Sequence, residues 1–197
     1  MDIYTAAEEY KKIMAYEYTF KLIRNRNSIP QEVNVRFDKK DFFHLCGLHK
    51  LKGRYFLQES KDKIFDRICN NEFAGVSFDQ DSSYKEIVSR IELVSQLISF
   101  FESDNIVFKT NPRNAKNPSR IQSDYILSYR DKISHKLFYI KQDKSTDYYH
   151  GVSCFMRSLT QNDTTDGHIK LIVLKKYRFN IENEEQIILI DRDSRSK

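Results

Sequence analysis

Glycine and proline are scarce in this chain, at 5 and 3 of 197 residues. So few turn-formers argue against a loop-rich scaffold and against the glycine-rich cradle that wraps nucleotide phosphates. Cysteine is scarce as well. Cys46, Cys69 and Cys154 are widely spaced and odd in number, with no CxxC pair, which excludes a zinc ribbon. They read as small buried hydrophobes in a reducing, cytoplasmic setting. Long apolar runs are missing too. Leu171–Leu174 and Ile187–Ile190 fall far short of the roughly 20 residues a membrane span needs. The mean hydropathy of −0.65 points the same way. The N-terminal MDIYTAAEEYKK is acidic and lacks an apolar stretch, so no signal peptide and no membrane partner are expected.

Aromatics are abundant instead. With 12 Tyr and 14 Phe the chain is not disordered, and its core must be built largely from rings. A length of 197 residues suits one domain that folds without a disulfide or metal staple. Charge is unevenly placed. Residues 105–178 carry 14 Lys and Arg against 6 Asp and Glu, a net +8, while 1–104 and 179–197 are net −1 and −2. Clustered positive charge attracts polyanions by releasing their counterions. The plainer reading is a solvated, lysine-rich surface.

Thr5 and Glu8 have capping-box spacing and predict a helix over 5–15. Residues 16–24 alternate apolar and polar, as do Val33, Val35 and Phe37, predicting a hairpin. Asp38 should cap a helix ending at Gly47, and 60–70 reads as another. Ile87, Ile91, Val94, Ile98 and Phe101 predict one long amphipathic helix after a capping box at Ser83 and Glu86. Beyond residue 104 the period changes. Strands are predicted at 105–109, 123–130, 134–141, 148–157 and 168–179, with 185–191 adding a last one and 110–119 an exposed loop. The expected architecture is α+β: N-terminal helices packed on a twisted antiparallel sheet of four to five strands. Within a single domain spanning 1–197, an N-terminal helix at 1–15, a core at 16–179 and a C-terminal extension at 180–197 are expected.

Two clusters carry the chemistry. In Phe42–Leu51, His44 and His49 are five residues apart. On one continuous helix they would diverge by about 140°, and the zincin i, i+4 spacing is absent, so no metal is assigned. If Gly47 ends the helix, the two rings can converge and act as acid and base near neutral pH without a metal. Lys50 adds a cation. In Tyr148–Arg157, strand alternation places Ser153 and Arg157 on one face with Tyr149 and Gly151; Arg157 suits bidentate phosphate binding. Arg113, Lys116 and Arg120 in the Asn–Pro loop suit backbone phosphate contacts. Tyr149 offers base stacking, and Lys175 completes the basic set. For each of these the structural alternative is ordinary: a packed histidine, an edge strand or a solvated loop. Asp124 and Lys141 have the spacing of a metal-dependent nuclease core, but Tyr139 stands where that core needs a carboxylate.

The segments Phe37–Leu51, Ile121–Leu127, Leu137–Ile140, Tyr148–Tyr149, Ser153–Phe155 and Val173–Lys176 together resemble phage-associated nuclease-like domains grouped with the Barnase–EndoU–colicin–RelE superfamily. The His-Leu-x-Gly-Leu-His string is the most specific part. The resemblance implies a Barnase/RelE-like fold whose active site lies on an open sheet face. It also implies a metal-independent endoribonuclease of a mobile element or toxin system that cleaves RNA by 2′-hydroxyl transesterification. Of the two histidines, His49 is read as general base and His44 as general acid, with the reverse assignment left open. Lys50 and Arg157 would stabilise the phosphorane, Ser153 would bond a non-bridging oxygen, and no cofactor would be needed. The expected partners are RNA, including tRNA or ribosome-bound mRNA, and an antitoxin or host protein. Family members tend to carry histidine at the position of Phe43 and threonine at that of Ile172. Those departures motivate the alternative of an inactive nuclease fold that binds nucleic acid or a host protein.

Overall fold

The computed structural model describes residues 2–53, 55–56, 59–116, 120–159 and 165–193. Helix α1 spans Ile3–Ile13, and its cap is Asp2, whose carboxylate accepts the Thr5 amide at 2.8 Å, rather than Thr5 itself. Ile3, Ala6, Ala7, Tyr10 and Ile13 form its buried stripe. Strand β1 (Tyr16–Ile23) and β2 (Gln31–Val35) pair antiparallel around an Asn–Ser turn. Helix α2 (Lys39–Leu45) follows, then a 3-10 turn at Leu48–Lys50 and helix α3 (Lys61–Cys69), which Ser60 caps.

The long helix expected over 87–101 is broken. A 3-10 turn at Tyr84–Glu86 precedes α4 (Val88–Val94) and α5 (Leu97–Glu102). Gln96 sits at φ −112°, outside the helix, and the Ser95 hydroxyl donates back to the Glu92 carbonyl at 2.8 Å. The break lets two apolar groups, Ile91–Leu93–Val94 and Leu97–Phe100–Phe101, enter the core along different directions.

The remaining strands are β3 (Ile106–Lys109), β4 (Tyr125–Arg130), β5 (Ser134–Gln142), β6 (Tyr148–Ser158), β7 (Ile169–Asn180) and β8 (Gln186–Asp191). The four- to five-stranded open sheet is not what forms. Eight strands run in the order β1-β2-β6-β5-β4-β3-β7-β8, and β1 also pairs with β7, so seven of them close into a mixed barrel. Alternation shows which face of a strand is buried, not which strands sit at its two edges. Both edges of β1 are paired, to β2 and to β7, and β2 meets β6 in parallel through Asn34–Tyr148 and Val35–Tyr149. A closed ring has no single open layer for helices to cover. α2 and α4 instead run beside β6, where the Cys154 thiol donates to the Leu45 carbonyl at 3.4 Å. β8 hydrogen-bonds to β7 through Lys175–Phe179, so the described part of the 180–197 segment continues the sheet.

The barrel interior is aromatic. Phe101 of α5 lies 4.9 Å from Tyr18, 5.1 Å from Phe37 and 5.2 Å from Phe138, ring centroid to ring centroid, touching both sides of the ring. Beside it Lys176 of β7 is fully buried. Its ammonium donates to the carbonyls of Phe101 and Ser103 and, at 3.1 Å, to Asn105 Oδ1. Burial pulls its pKa from 10.5 down to about 8, against the opposing pull of Asp104 and Glu102.

The unfolded chain therefore keeps a proton between about pH 8 and 10.5 that the folded chain sheds, so Lys176 makes stability rise with pH across that window. In urea denaturation at pH 7.5 and 10, the wild type should gain stability relative to Lys176→Met. An equal pH dependence of the two proteins would refute this.

Candidate active site

The site forms at the end of α2. Gly47 terminates the helix in the left-handed region, at φ +75°, and Leu48 is buried in the turn that follows. A side chain at Gly47 would be strained there and its Cβ would lie 2.8 Å from Arg90 Cδ, so glycine is required for the turn and for the passage of Arg90. The reversal brings His44, in the last turn of α2, to within 5.2 Å of His49, centroid to centroid. Phe43 packs against both rings, at 5.7 and 6.4 Å, and against Phe56.

Lys61, at the start of α3, approaches His44 Nε2 at 2.6 Å. An ammonium can only donate, so this nitrogen accepts and the neutral ring carries its proton on Nδ1. Burial first, then Lys61, lowers the His44 pKa below 6.5, and burial followed by His44 and Arg90 lowers that of His49.

Arg90 of α4 links this pair to β6. Its Nη1 donates to Ser153 Oγ at 3.0 Å, and its guanidinium lies 5.9 Å from the Phe155 ring. Arg157 stands 4.6 Å from the same ring. Neither guanidinium forms an ion pair with a carboxylate among the described residues, nor does Lys61. Two unpaired guanidiniums over one ring form a place for an anion.

The face expected for Ser153 needs correction. Tyr139 pairs with Ser153 but Ile140 pairs with Gly151, so Val152 is a bulge that breaks the alternation. Gly151 therefore faces inward, where a Cβ would meet Phe138 and Leu45, and Tyr149 packs against the interior cluster. Ser153 and Arg157 lie on the opposite face, across from Tyr139 and His135.

Most other candidates engage partners outside the pair. Lys50 turns to Glu86, 3.8 Å away. Lys116 pairs with Asp166 at 3.1 Å, and Lys175 lies between Asp191 and Asp193 at 3.5 and 3.9 Å. Tyr149 packs edge-on against Tyr125 at 5.4 Å. Arg113 and Arg120 are exposed on the loop after β3, of which 117–119 lie outside the described residues. Lys61 and Arg90 were not singled out from the sequence. Lys61 reads as a surface residue, and Arg90 is a polar position within an amphipathic pattern.

A second polar group sits at the other end of α2. His150 Nδ1 lies 3.3 Å from Asp41 Oδ2 and 3.5 Å from Asp38 Oδ2, and Asp41 also accepts the Asp38 amide. These three residues have ligand atoms within 4.8 Å of one another, the one metal-ligand set of three or more among the described residues. Lys40, 3.4 Å from Asp38, already supplies positive charge there. The hydrogen bond to Asp41 raises the His150 pKa above 6.5.

The structure thus brings together two imidazoles, one engaged by a lysine, and Arg90, which reaches the serine that shares a strand face with Arg157. The chain belongs to the phage-Barnase-EndoU-ColicinE5/D-RelE like nuclease4 family, whose model matches residues 2–193. It is thus a member of a phage-associated nuclease family. No curated protein and no solved structure matches it significantly. No helix among the described residues is long and apolar enough to cross a membrane.

Because the folded pKa of His150 is raised, its stabilising contribution is complete below about pH 6.5 and is lost as pH climbs through the folded value. The stability difference between wild type and His150→Gln, read by urea denaturation, should shrink from pH 5.5 to 8. A gap that widens with pH would contradict the assigned hydrogen bond.

Proposed function

We propose that this nuclease cleaves RNA without a metal, by attack of the 2′-hydroxyl on the adjacent phosphate. The observation that carries the reading is the convergence of His44 and His49, 5.2 Å apart, beside guanidiniums that no described carboxylate neutralises. His49 is an exposed residue whose pKa lies below 6.5, so it takes the 2′-hydroxyl proton. His44 passes a proton from Nδ1 to the leaving 5′-oxygen while Lys61 returns one to Nε2. Proton count is conserved: one leaves the nucleophile, one reaches the leaving group. Arg90 and Arg157 meet the charge that grows on the phosphorane, a role often worth about 3–4 kcal/mol per donor. Ser153, already fixed by Arg90, bonds a non-bridging oxygen. Lys50, turned to Glu86, drops from the catalytic set.

Incubated with a mixed RNA pool in EDTA, the wild type should yield fragments ending in 2′,3′-cyclic phosphate. His49→Ala and Arg90→Met should each lower kcat/KM by about 100-fold or more with little change in Tm. The acid limb of the pH–rate profile should lie below pH 6.5, following the depressed histidine. Cleavage that requires added magnesium overturns the mechanism. Biological activity that survives His49→Ala favours the alternative of an inactive binder.

Of the cations considered for this site and for the loop after β3, Lys61, Arg90, Arg113, Arg120 and Arg157 remain for phosphates once the paired lysines are set aside. At roughly −0.7 per contact on a single strand, log affinity against log salt should fall with a slope of about −3.5. A flat dependence would show that these charges only solvate the surface.

A further inference from the structure

The outer face of β4 and β5 carries a cavity of about 320 Å³ that the cleavage chemistry does not use. We infer that this cavity is a nucleobase pocket, the subsite that seats a base next to the scissile phosphate; the inference rests on the nucleic-acid reading of the neighbouring site.

Position is the first reason. Tyr139 lines the cavity, lies directly across from Ser153, and touches the Phe155 ring at 5.3 Å. Phe155 is the ring over which Arg90 and Arg157 gather. One aromatic pair therefore separates the cavity from the proposed phosphate site.

Shape and chemistry are the second. The size falls at the small end of ligand pockets, which run from about 300 Å³ upward. Ile121, Ile126 and the Tyr139 ring give apolar walls suited to a flat heterocycle. Hydrogen-bonding groups of both kinds stand among them. His168 accepts the Asn111 amide on Nδ1 at 2.9 Å, which leaves its Nε2 proton as a donor. Asp124 receives the Gln142 amide on Oδ2 at 2.8 Å, which leaves Oδ1 as an acceptor. Lys141, on the same wall, supplies the cation that an attached phosphate needs.

Preorganisation is the third. The walls belong to separate segments tied together by backbone bonds. Thr110 donates from its amide to the Asp124 carbonyl at 2.9 Å and from its hydroxyl to the Ser123 carbonyl at 2.6 Å. The Lys116 amide donates to the Asp166 carbonyl at 3.3 Å. Gly167, at φ +85°, lets the 165–168 turn press against residues 114 and 115, where a Cβ would overlap the Asn114 carbonyl. A collapsed loop over a chance void would not need this bracing.

The test titrates the four nucleoside 3′-monophosphates into ¹⁵N-labelled full-length protein, with ribose 5-phosphate as the control for an anion alone. The expected result is saturable shifts at the Ile126, Lys141 and His168 amides for at least one nucleotide and none of them for ribose 5-phosphate. Asp124→Asn, which keeps an acceptor for the Gln142 amide, should weaken that nucleotide at least tenfold or change which base is preferred, at unchanged Tm. Silence from all four nucleotides, or equal shifts from ribose 5-phosphate, overturns the inference. Binding requires no turnover, so nucleotide binding in a protein that cleaves no RNA supports the pocket while refuting the catalytic reading.

Discussion

A buried lysine amine ties this molecule together. Lys176 reaches from β7 into the barrel and grips the carbonyls at the end of α5 together with Asn105. The last carbonyls of a helix lack helical partners, and the Lys176 amine supplies donors to them. Here the donor also comes from the strand that closes the ring. α5 is thereby fixed inside, with Phe101 between Tyr18 and Phe138. α4 runs directly into α5, so the same anchor sets where Arg90 leaves its helix and how it reaches Ser153.

Around that anchor, two local irregularities make the site. Gly47 turns the chain so that neighbouring histidines share a space instead of opposite sides of a helix. The bulge at Val152 turns Ser153, and with it Phe155 and Arg157, away from the face of Gly151. Without the bulge, Ser153, Phe155 and Arg157 would share the inward face of Gly151. Both devices concentrate positive groups where the chain offers few carboxylates. Meanwhile the acidic partners of Lys50, Lys116 and Lys175 neutralise cations elsewhere.

Much of the local structure was legible in the residues. Alternation marks the strands, because each has one buried face, and the glycine between two histidines marks the turn. The closure was not legible. Pairing of β1 with β7 joins residues about 155 positions apart, and strand periodicity carries no information about such partners. The break at Ser95–Gln96 was hidden for a different reason. Both fragments are apolar at helical spacing, so one long helix fits the pattern as well as two short ones. Arg90 and Lys61 escaped for a third reason: each is an ordinary polar residue on a helix, and only the fold brings it to an imidazole or a serine. The His150–Asp41 contact likewise spans 109 positions.

The order in which the chain is made gives the strand closure a further meaning. His44, His49, Lys61, Arg90, Ser153 and Arg157 all precede β7, yet the strut that orients α5 is Lys176 and the ring shuts only when β7 meets β1. Non-local pairings of this kind form late, because the loop between them must be closed before any contact rewards it. A chain in which β7 has not yet met β1 therefore carries all six of these side chains but not the frame that assembles them.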